Sequence, residues 1–340
     1  MNLNLKSGRV DMNLGSGGHA MATLVSELFV KYLDNHLLRQ GNDGACFEVA
    51  AGRMVMSTDG HIISPLFFPG GDIGSLAVHG TVNDVSMCGA TPLYLAAGFI
   101  LEEGFPLMDL ERIVMSMANA AKSAGVNVVC GDTKVVEKGK GDGVFITTAG
   151  VGVVPPGLRI SGDQARPGDA ILVSGSIGDH GVAILSNREN LEFETTIESD
   201  SAALNGLVAD MVRAVPKIHC LRDPTRGGLA TSLNELCLQS GVGMKLFDSA
   251  IPVKPQVAAV CELLGLDPLY VANEGKLIAI CAAEDADHLL NVMHGHPLGR
   301  DAAIIGKVVV DERHLVQMET RLGGWRVVDW LVGEQLPRIC

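Results

Sequence analysis

The sequence predicts an α+β fold with α/β-type alternation, because apolar strand-like runs alternate with amphipathic helical stretches throughout. Of the 340 residues, 47% are hydrophobic and 41 are glycine, a composition typical of a compact chain with many turns. The chain is long enough to form two domains, each with a sizeable core. A segment rich in proline and glycine over 154–169 marks the predicted boundary between them.

Each half contributes its own elements. In the first half a glycine-rich stretch precedes a predicted helix over 20–38, and an amphipathic helix carries Leu107, Leu110 and Met117 on one face. The predicted strands of this half are 45–57, 93–101, 126–130 and 144–154. In the second half the predicted strands are 170–174, 242–247, 269–272, 276–281 and 302–310. The predicted helices of that half are 178–187, 201–215, 227–240, 255–264 and 284–293.

These elements divide the chain into four predicted parts. Residues 1–44 form a glycine-rich loop and a helix, and residues 45–156 form an N-terminal domain. A C-terminal α+β domain follows over 157–310, and residues 311–340 form an extension and tail. No short repeat or low-complexity segment interrupts this organisation.

Charge and cysteine pattern exclude several functional classes. A net charge of −13 argues against nucleic acid or an anionic membrane as a partner. The longest apolar runs are of strand length or are interrupted by charge, so no membrane span is predicted, and the N-terminus lacks a signal-peptide apolar region. The eight cysteines include no C-x-x-C pair, which argues against structural zinc. Together these features predict a reduced cytoplasmic protein.

The last residue is a cysteine, Cys340, and a thiol at the free end of a tail has nothing beyond it to hold it in a core. The final aromatic anchor is Trp330, and the chain after it could span roughly 33 Å if extended. Such a tail could carry a covalently attached group from one site to another. The alternative is a frayed terminus with an incidental thiol.

Four aspartates follow or end apolar runs, where strands are expected to give way to loops: Asp59, Asp84, Asp132 and Asp223. One such residue is usually a helix or turn cap. As a set, beside glycines, they are typical of oxygen ligands for Mg²⁺ that bridges nucleotide phosphates. Gly17 and Gly18, in the glycine-rich stretch, could let backbone N–H groups approach an anion. Neither a Walker A motif nor a G-x-G-x-x-G fingerprint occurs.

Two further residues are candidates for catalysis. Lys134 directly follows Asp132 and Thr133, and its ammonium group could balance phosphate charge or act as a base if its pKa were lowered. Glu274 lies on a predicted turn between two apolar runs and is a candidate general base. The alternative for Glu274 is a solvated acid on a turn.

Several segments taken together resemble the HypE family, the carbamoyl dehydratases of [NiFe]-hydrogenase maturation. These segments are 68–74 (FPGGDIG), 80–90 (GTVNDVSMCGA), 131–136 (GDTKVV), 223–228 (DPTRGG), 272–276 (ANEGK) and the terminal 337–340 (PRIC). The resemblance implies a two-domain ATP-binding fold like that of aminoimidazole ribonucleotide synthetase. It also implies a homodimer through the N-terminal domains and a mobile C-terminal tail. The chain departs from the family pattern at Leu14 and at Gly60-His61, which puts the ligand contacts of the N-terminal loop in doubt.

The resemblance also implies a site and a reaction. ATP with Mg²⁺ would dehydrate a carbamoyl group on the Cys340 thiol to a thiocyanate, with Lys134 and Glu274 polarising and deprotonating the carbamoyl nitrogen. The metal ligands implied are Asp59, Asp84 and Asp132. The nucleotide-binding residues implied are Asp59, Asn83, Asp84, Asp132, Thr133, Asp223, Gly17 and Gly18.

The implied partners are a carbamoyltransferase, HypF, which supplies the carbamoyl group, and the HypC–HypD scaffold complex, which receives the cyanide for the hydrogenase iron. Two alternatives remain open at this point. The chain could be another small-molecule enzyme of the same ATP-dependent superfamily, similar to selenophosphate synthetase or to a kinase. It could also be a maturation scaffold without catalytic activity.

Overall fold

The structure is a computed structural model that describes residues 3–14, 18–40, 45, 47–49, 52–188, 197–332 and 338–340. Near the N-terminus, Gly18–Leu24 (α1), a π-helical turn over Val25–Val30 and Lys31–Leu33 (α2) follow one another without a break. The helix predicted over 20–38 is thus present but ends at Leu33, and Leu38–Gln40 is a separate 3₁₀ helix. Gly17 lies outside the described residues, and Gly18 begins α1.

The N-terminal domain is a four-stranded sheet covered on one face by two helices. Its strands and helices are β1 (Arg53–His61), β2 (Phe67–Phe68), β3 (Gly71–Asp72), α3 (Ile73–Met87), β4 (Thr91–Glu102), α4 (Leu107–Ala124), β5 (Asn127–Val136) and β6 (Val144–Val154). The sheet order is β1-β6-β4-β5, antiparallel except for the parallel pair β4 and β5, and the two-residue strands β2 and β3 pair separately. The opposite face of the sheet leaves Met54, Met56 and Ile100 exposed.

Local sequence explains how the two helices of this domain begin and end. Asp72 caps α3 by accepting bonds from the backbone of Gly74 and Ser75, and the Ser75 hydroxyl completes a capping box with the Asp72 backbone. The amphipathic helix α4 ends at Gly125, whose φ of 71° is the left-handed conformation that glycine adopts easily. The apolar faces of both helices form the domain core with the inner face of the sheet.

The C-terminal domain is a seven-stranded sheet in the order β13-β12-β9-β11-β7-β10-β8, with helices on both faces. Its strands are β7 (Ala170–Val173), β8 (Cys220–Arg222), β9 (Gly243–Phe247), β10 (Ile278–Cys281), β11 (Ala303–Val309), β12 (Val316–Glu319) and β13 (Trp325–Val327). Its helices are α5 (Asp179–Arg188), α6 (Asn205–Ala214), α7 (Gly228–Ser240), α8 (Pro255–Leu264) and α9 (Ala283–His294).

The central strands of this sheet are buried on both faces, because successive side chains point to opposite sides. In β7, Ala170 and Leu172 pack with α6 and α9, whereas Ile171 and Val173 pack with α7. This explains why the strand is apolar at every position rather than at alternate ones. No helix among the described residues is long and apolar enough to cross a membrane.

Three differences from the sequence predictions concern element type and extent. The segment predicted as a strand over 269–272 contains instead a short 3₁₀ helix, Pro268–Tyr270, because Asp267 caps it and Pro268 favours the first helical position. The first strand covers Arg53–His61 rather than 45–57. The fourfold division of the chain stays a prediction, but its boundary at 310 falls between β11 and β12, which belong to one sheet.

Candidate active site between the domains

Four carboxylates from four separate segments meet where the two domains face each other. Asp59 lies on β1, Asp84 on α3, Asp223 just after β8, and Glu274 in the loop before β10. Gly80 lets β1 approach α3, since a Cβ there would lie 3.2 Å from Asp59 Oδ2. The Ser57 hydroxyl donates a hydrogen bond of 2.7 Å to Asp84 Oδ2 and fixes that carboxylate.

The pKa shifts of Asp84, Asp223 and Glu274 indicate burial and mutual repulsion. Burial, and then the negative charge of Asp84, raises the pKa of Asp223 to about 7. Burial likewise raises the pKa of Asp84, with Asp59 adding to the effect. The pKa of Glu274 is raised well above its ordinary value by burial and then by four acids: Asp200, Asp223, Asp59 and Asp84. Such a cluster is favourable for binding a cation, which would relieve the repulsion.

Glu274 is buried rather than solvated, being only 4% exposed, and its Oε1 has no hydrogen-bond partner. Its backbone is fixed on both sides: its N–H donates to Asp200 Oδ1, and its carbonyl accepts from Asn83 Nδ2. The next residue must be glycine, because a Cβ on Gly275 would lie 1.7 Å from the Asp200 carbonyl oxygen. These contacts therefore fix the backbone of Glu274.

Asn83 joins the domains rather than pointing freely toward a ligand. Its Nδ2 donates to the carbonyls of Ala202 and Glu274, and its Oδ1 accepts from the backbone of Leu204 at 2.7 Å. Both amide protons are thus used within the protein. A direct contact between this side chain and a nucleotide, as predicted, would have to replace one of these bonds.

Within one chain, Asp132 does not join the other predicted metal ligands. Asp59 is opposite Thr148 on the helix-covered face of the sheet, whereas Asp132 is opposite Gly98, which shares the open face with Gly60. Three strand spacings, roughly 14 Å, separate β1 from β5. Within one chain, Asp132 therefore lies apart from Asp59 and Asp84, and the assignment of all three as metal ligands stays a prediction.

Asp132 and Lys134 form an ion pair of 2.8 Å on the open face, with side chains 64% and 65% exposed. The Lys134 ammonium holds the pKa of Asp132 below its ordinary value. Thr133, between them, points inward and is buried. Among the described residues, no group of three or more His, Cys, Asp or Glu side chains is spaced to hold a metal ion.

Two further predictions about element type were wrong. Asn83 and Asp84 lie inside α3, not where a strand gives way to a loop. Asp59 and Asp132 lie inside β1 and β5, which extend beyond them. Only Asp223 directly follows a strand as predicted.

The C-terminal residues 338–340 are docked between the domains, against the loop after β1 and against α5. A main-chain oxygen of the Cys340 carboxylate accepts a hydrogen bond from the backbone N–H of Ile62, which follows β1. Ile339 is 5% exposed and packs in the N-terminal core, and Cys340 is partly buried against the same cluster. The mobility predicted for the tail stays a prediction.

Sequence reasoning missed three residues that organise this site. Asp200 pairs with Lys276 at 3.1 Å in a nearly buried ion pair and also holds the Glu274 backbone. His180 contacts both Ser199 and the tail. The sequence around Asp200 has no helical or strand periodicity, so no pattern singled it out. Lys276 was part of a quoted motif, but its partner could not be inferred from spacing.

Comparison with known proteins agrees with this architecture. Residues 41–154 match the family model of the AIR synthase related protein, N-terminal domain, and residues 166–319 match that of the C-terminal domain. The carbamoyl dehydratase HypE of Cupriavidus necator is 71% identical over 339 residues, covering 99% of this chain and 97% of the relative. The chain belongs to the HypE family.

Solved structures of HypE proteins agree with this membership. The crystal structure of a hydrogenase maturation protein HypE in complex with ATP is 52% identical, with a TM-score of 0.94 over 97% of this chain and 99% of that one. HypE in a HypE–HypF complex is 49% identical, with a TM-score of 0.80 over 91% and 99% of the two chains. The predicted family and the two-domain fold like that of aminoimidazole ribonucleotide synthetase are thereby confirmed.

Proposed function

We propose that this HypE protein uses ATP to dehydrate a carbamoyl group carried on the Cys340 sulfur, producing a thiocyanate that supplies cyanide to the hydrogenase iron. One observation carries this proposal above the others: the C-terminal residue is docked on the segment that follows β1, the strand that carries Asp59 of the buried carboxylate cluster. Membership of the HypE family, with relatives named carbamoyl dehydratase, supports the reaction class. A substrate-bearing tail needs such a docking position, because reacting atoms must be held together.

The chemistry explains the need for ATP. In a thiocarboxamide, S–C(=O)–NH₂, the oxygen is a poor leaving group. Transfer of the γ-phosphoryl group of ATP to that oxygen, with loss of one nitrogen proton, gives S–C(–O–phosphate)=NH and ADP. The C–O bond then breaks as the second nitrogen proton leaves, which yields S–C≡N and inorganic phosphate. The protein must therefore position two reactants and accept protons.

Glu274 is the proposed proton acceptor. Its unpartnered Oε1 is available to a substrate proton, and burial with neighbouring acids raises its pKa, which makes the carboxylate a stronger base than an exposed glutamate. The rigid loop fixed by Asp200 and Asn83 would hold this oxygen in place during the reaction.

The carboxylate cluster fits Mg²⁺–ATP, because burial and neighbouring acids raise the pKa of Asp84, Asp223 and Glu274, and a bound cation would offset that repulsion. Asp59, Asp84 and Asp223 would hold Mg²⁺, which would neutralise phosphate charge. Backbone groups near Gly18 at the start of α1 remain proposed phosphate contacts, as do Thr133 and Asn83 after local rearrangement. A HypE relative has been crystallised with ATP.

We propose that the active unit is a homodimer formed by the open face of the N-terminal sheet. Met54, Met56 and Ile100 lie on this face and are 50%, 75% and 43% exposed, which is a large apolar surface for a monomer. Asp132 and Lys134 are on the same face. In a dimer they would meet the second copy rather than solvent, so Lys134 and Asp132 of one copy could complete the site of the other.

The substitution Met56→Asp should convert the dimer to a monomer. It places a charge in the centre of the apolar face, and we expect the dissociation constant to rise roughly thirtyfold or more. Sedimentation equilibrium measures this. The control is Leu322→Asp, which alters an apolar residue that is 98% exposed outside the sheet. A Met56→Asp protein with the dimer affinity of the wild type would exclude this face as the interface.

The proposed partners are a carbamoyltransferase of the HypF type and a HypC–HypD complex that receives the cyanide. A relative of this chain has been crystallised in a HypE–HypF complex, which supports the first partner. We also propose that the protein acts in the cytoplasm, because it would have to reach the carbamoyl donor and the cyanide acceptor there.

Mass spectrometry of the C-terminal peptide tests the proposed function directly. The full-length protein is incubated with carbamoyl phosphate and HypF, first without and then with Mg²⁺–ATP. We expect a carbamoyl group on Cys340 in the first case and a cyano group in the second. If ATP is hydrolysed while the carbamoylated peptide keeps its mass, the dehydratase assignment is incorrect.

A further inference from the structure

We infer that His180 and Arg188 are positioning residues that hold the C-terminal residues 338–340 in the docked position and so control how readily Cys340 leaves it. This inference deepens the proposed function, because a carrier thiol must be released to meet its partners and docked to react. The inference rests on the proposed function for the purpose of docking, but the contacts of the tail and the test below do not depend on that function.

One face of α5 forms the seat for the tail. His180, Ile184 and Arg188 recur at intervals of four residues, so they lie on the same side of this helix. Ile184 belongs to the same buried cluster as Ile339. His180 contacts the carbonyl oxygen of Ile339, and Arg188 contacts that of Arg338.

The hydrogen bonds of His180 select one tautomer. Its Nε2 lies 2.7 Å from the carbonyl oxygen of Ile339, which can only accept, so Nε2 carries the proton. Its Nδ1 lies 2.7 Å from the Ser199 hydroxyl, which donates to it and in turn accepts from the backbone of Ser201. Neutral His180 therefore satisfies both ring nitrogens only while the tail is docked. Release of the tail leaves a buried N–H donor to be satisfied in another way.

Arg188, at the other end of α5, ties the tail to the N-terminal domain. Its guanidinium group donates to the carbonyl of Arg338 at 3.0 Å and to that of Ser64 at 2.7 Å. A single planar group thus joins three segments: α5, the loop after β1, and the tail.

The loop after β1 holds the other side of the tail. The backbone N–H groups of Ile62 and Ser64 donate to the terminal carboxylate of Cys340 and to the carbonyl of Arg338, both at 3.2 Å. The bonds from α5 and from this loop all end on main-chain oxygens. They are therefore compatible with a thiol, a carbamoyl group or a cyano group on the Cys340 sulfur, which is what a carrier requires throughout its cycle.

Thiol alkylation tests the inference without ATP, HypF or a carbamoyl donor. The full-length protein is treated briefly with iodoacetamide, and the modification of Cys340 is measured relative to exposed Cys88 by peptide mass spectrometry. We expect His180→Leu and Arg188→Met each to raise this ratio by roughly fivefold to tenfold, the effect of one or two lost buried hydrogen bonds. His180→Gln keeps a donor near the Nε2 position and should stay within about twofold of the wild type.

Two controls separate tail release from general loosening. Buried Cys220 and Cys281 report unfolding, because burial raises the pKa of each thiol to about 12 and they react only when exposed. Leu233→Ala weakens a remote core in α7 and should leave the ratio unchanged. An unchanged ratio in His180→Leu and Arg188→Met overturns the inference, as does an equal rise in Leu233→Ala. If His180→Leu does not fold, Arg188→Met alone decides.

The outcome is distinguishable from failure of the proposed function. A protein that never forms a thiocyanate but shows the expected alkylation ratios would retain the tail-holding role and lose the dehydratase assignment. A protein that cyanates normally while both variants leave the ratio unchanged would retain the function and refute the role of His180 and Arg188.

Discussion

Replacement of Cys340 by serine or alanine is expected to abolish formation of the cyano group completely. The sulfur is the atom to which the carbamoyl group is attached, so neither variant can form the thiocyanate. Because Ile339 provides the buried anchor of the docked tail, the terminal residue can change without loss of the fold. Peptide mass spectrometry after incubation with HypF, carbamoyl phosphate and ATP measures the loss. Thermal unfolding should give a Tm within about 1–2 °C of that of the wild type, as for other surface changes.

One control variant and two alternative functions predict different outcomes in this experiment. Cys88→Ala removes an exposed thiol elsewhere in the chain and should leave cyanation intact. An enzyme acting on a free small molecule would keep its ATP-dependent turnover in Cys340→Ala. A scaffold without catalysis would still support hydrogenase maturation in Cys340→Ala and fail only when the whole tail is removed. Either result would contradict the proposed function.

Much of the fold could be predicted because local patterns and tertiary structure agree. The strand over 144–154 and the helices predicted over 227–240 and 255–264 coincide closely with β6, α7 and α8, since burial follows their periodicity. α3 was missed because β-branched residues such as Val82 and Val85 are common in strands. The capping box at Asp72 and Ser75, a local helix-start signal, determines the element instead.

The candidate site, like the fold, could be predicted only in part from the sequence. Asp59, Asp84, Asp223 and Glu274 could be selected from residue type and local context, and the structure brings them together. The position of Asp132 could not, because the face on which a strand residue points depends on register, and one residue of shift reverses it. The ion pair of Asp200 with Lys276 joins residues 76 positions apart, and only the folded chain reveals it.

Replacement of Glu274 by glutamine should lower the activity of the protein but raise its free energy of unfolding. We expect Glu274→Gln to lower the rate of thiocyanate formation by roughly 10²–10⁴-fold, the usual contribution of a general base, while carbamoylation of Cys340 continues. The same change should stabilise the protein at pH 8 by about 1–2 kcal/mol, because it removes a buried carboxylate that neighbouring acids repel. Single-turnover cyanation and thermal unfolding without nucleotide or Mg²⁺ measure the two effects.

The pH dependence of that stabilisation identifies its cause. Burial, and then Asp200, raises the pKa of Glu274 above its ordinary value of 4.5, so the folded state holds a proton that the unfolded state has lost. The wild type therefore loses stability as pH rises from 4.5 toward the folded pKa, and the advantage of Glu274→Gln should shrink as pH is lowered. Glu262→Gln, the same change at an exposed site, should have no effect. Asp200→Asn should destabilise by about 3–5 kcal/mol, since it leaves Lys276 charged and without its buried partner. A stabilisation by Glu274→Gln that did not vary with pH would mean that packing, rather than the buried charge, is responsible.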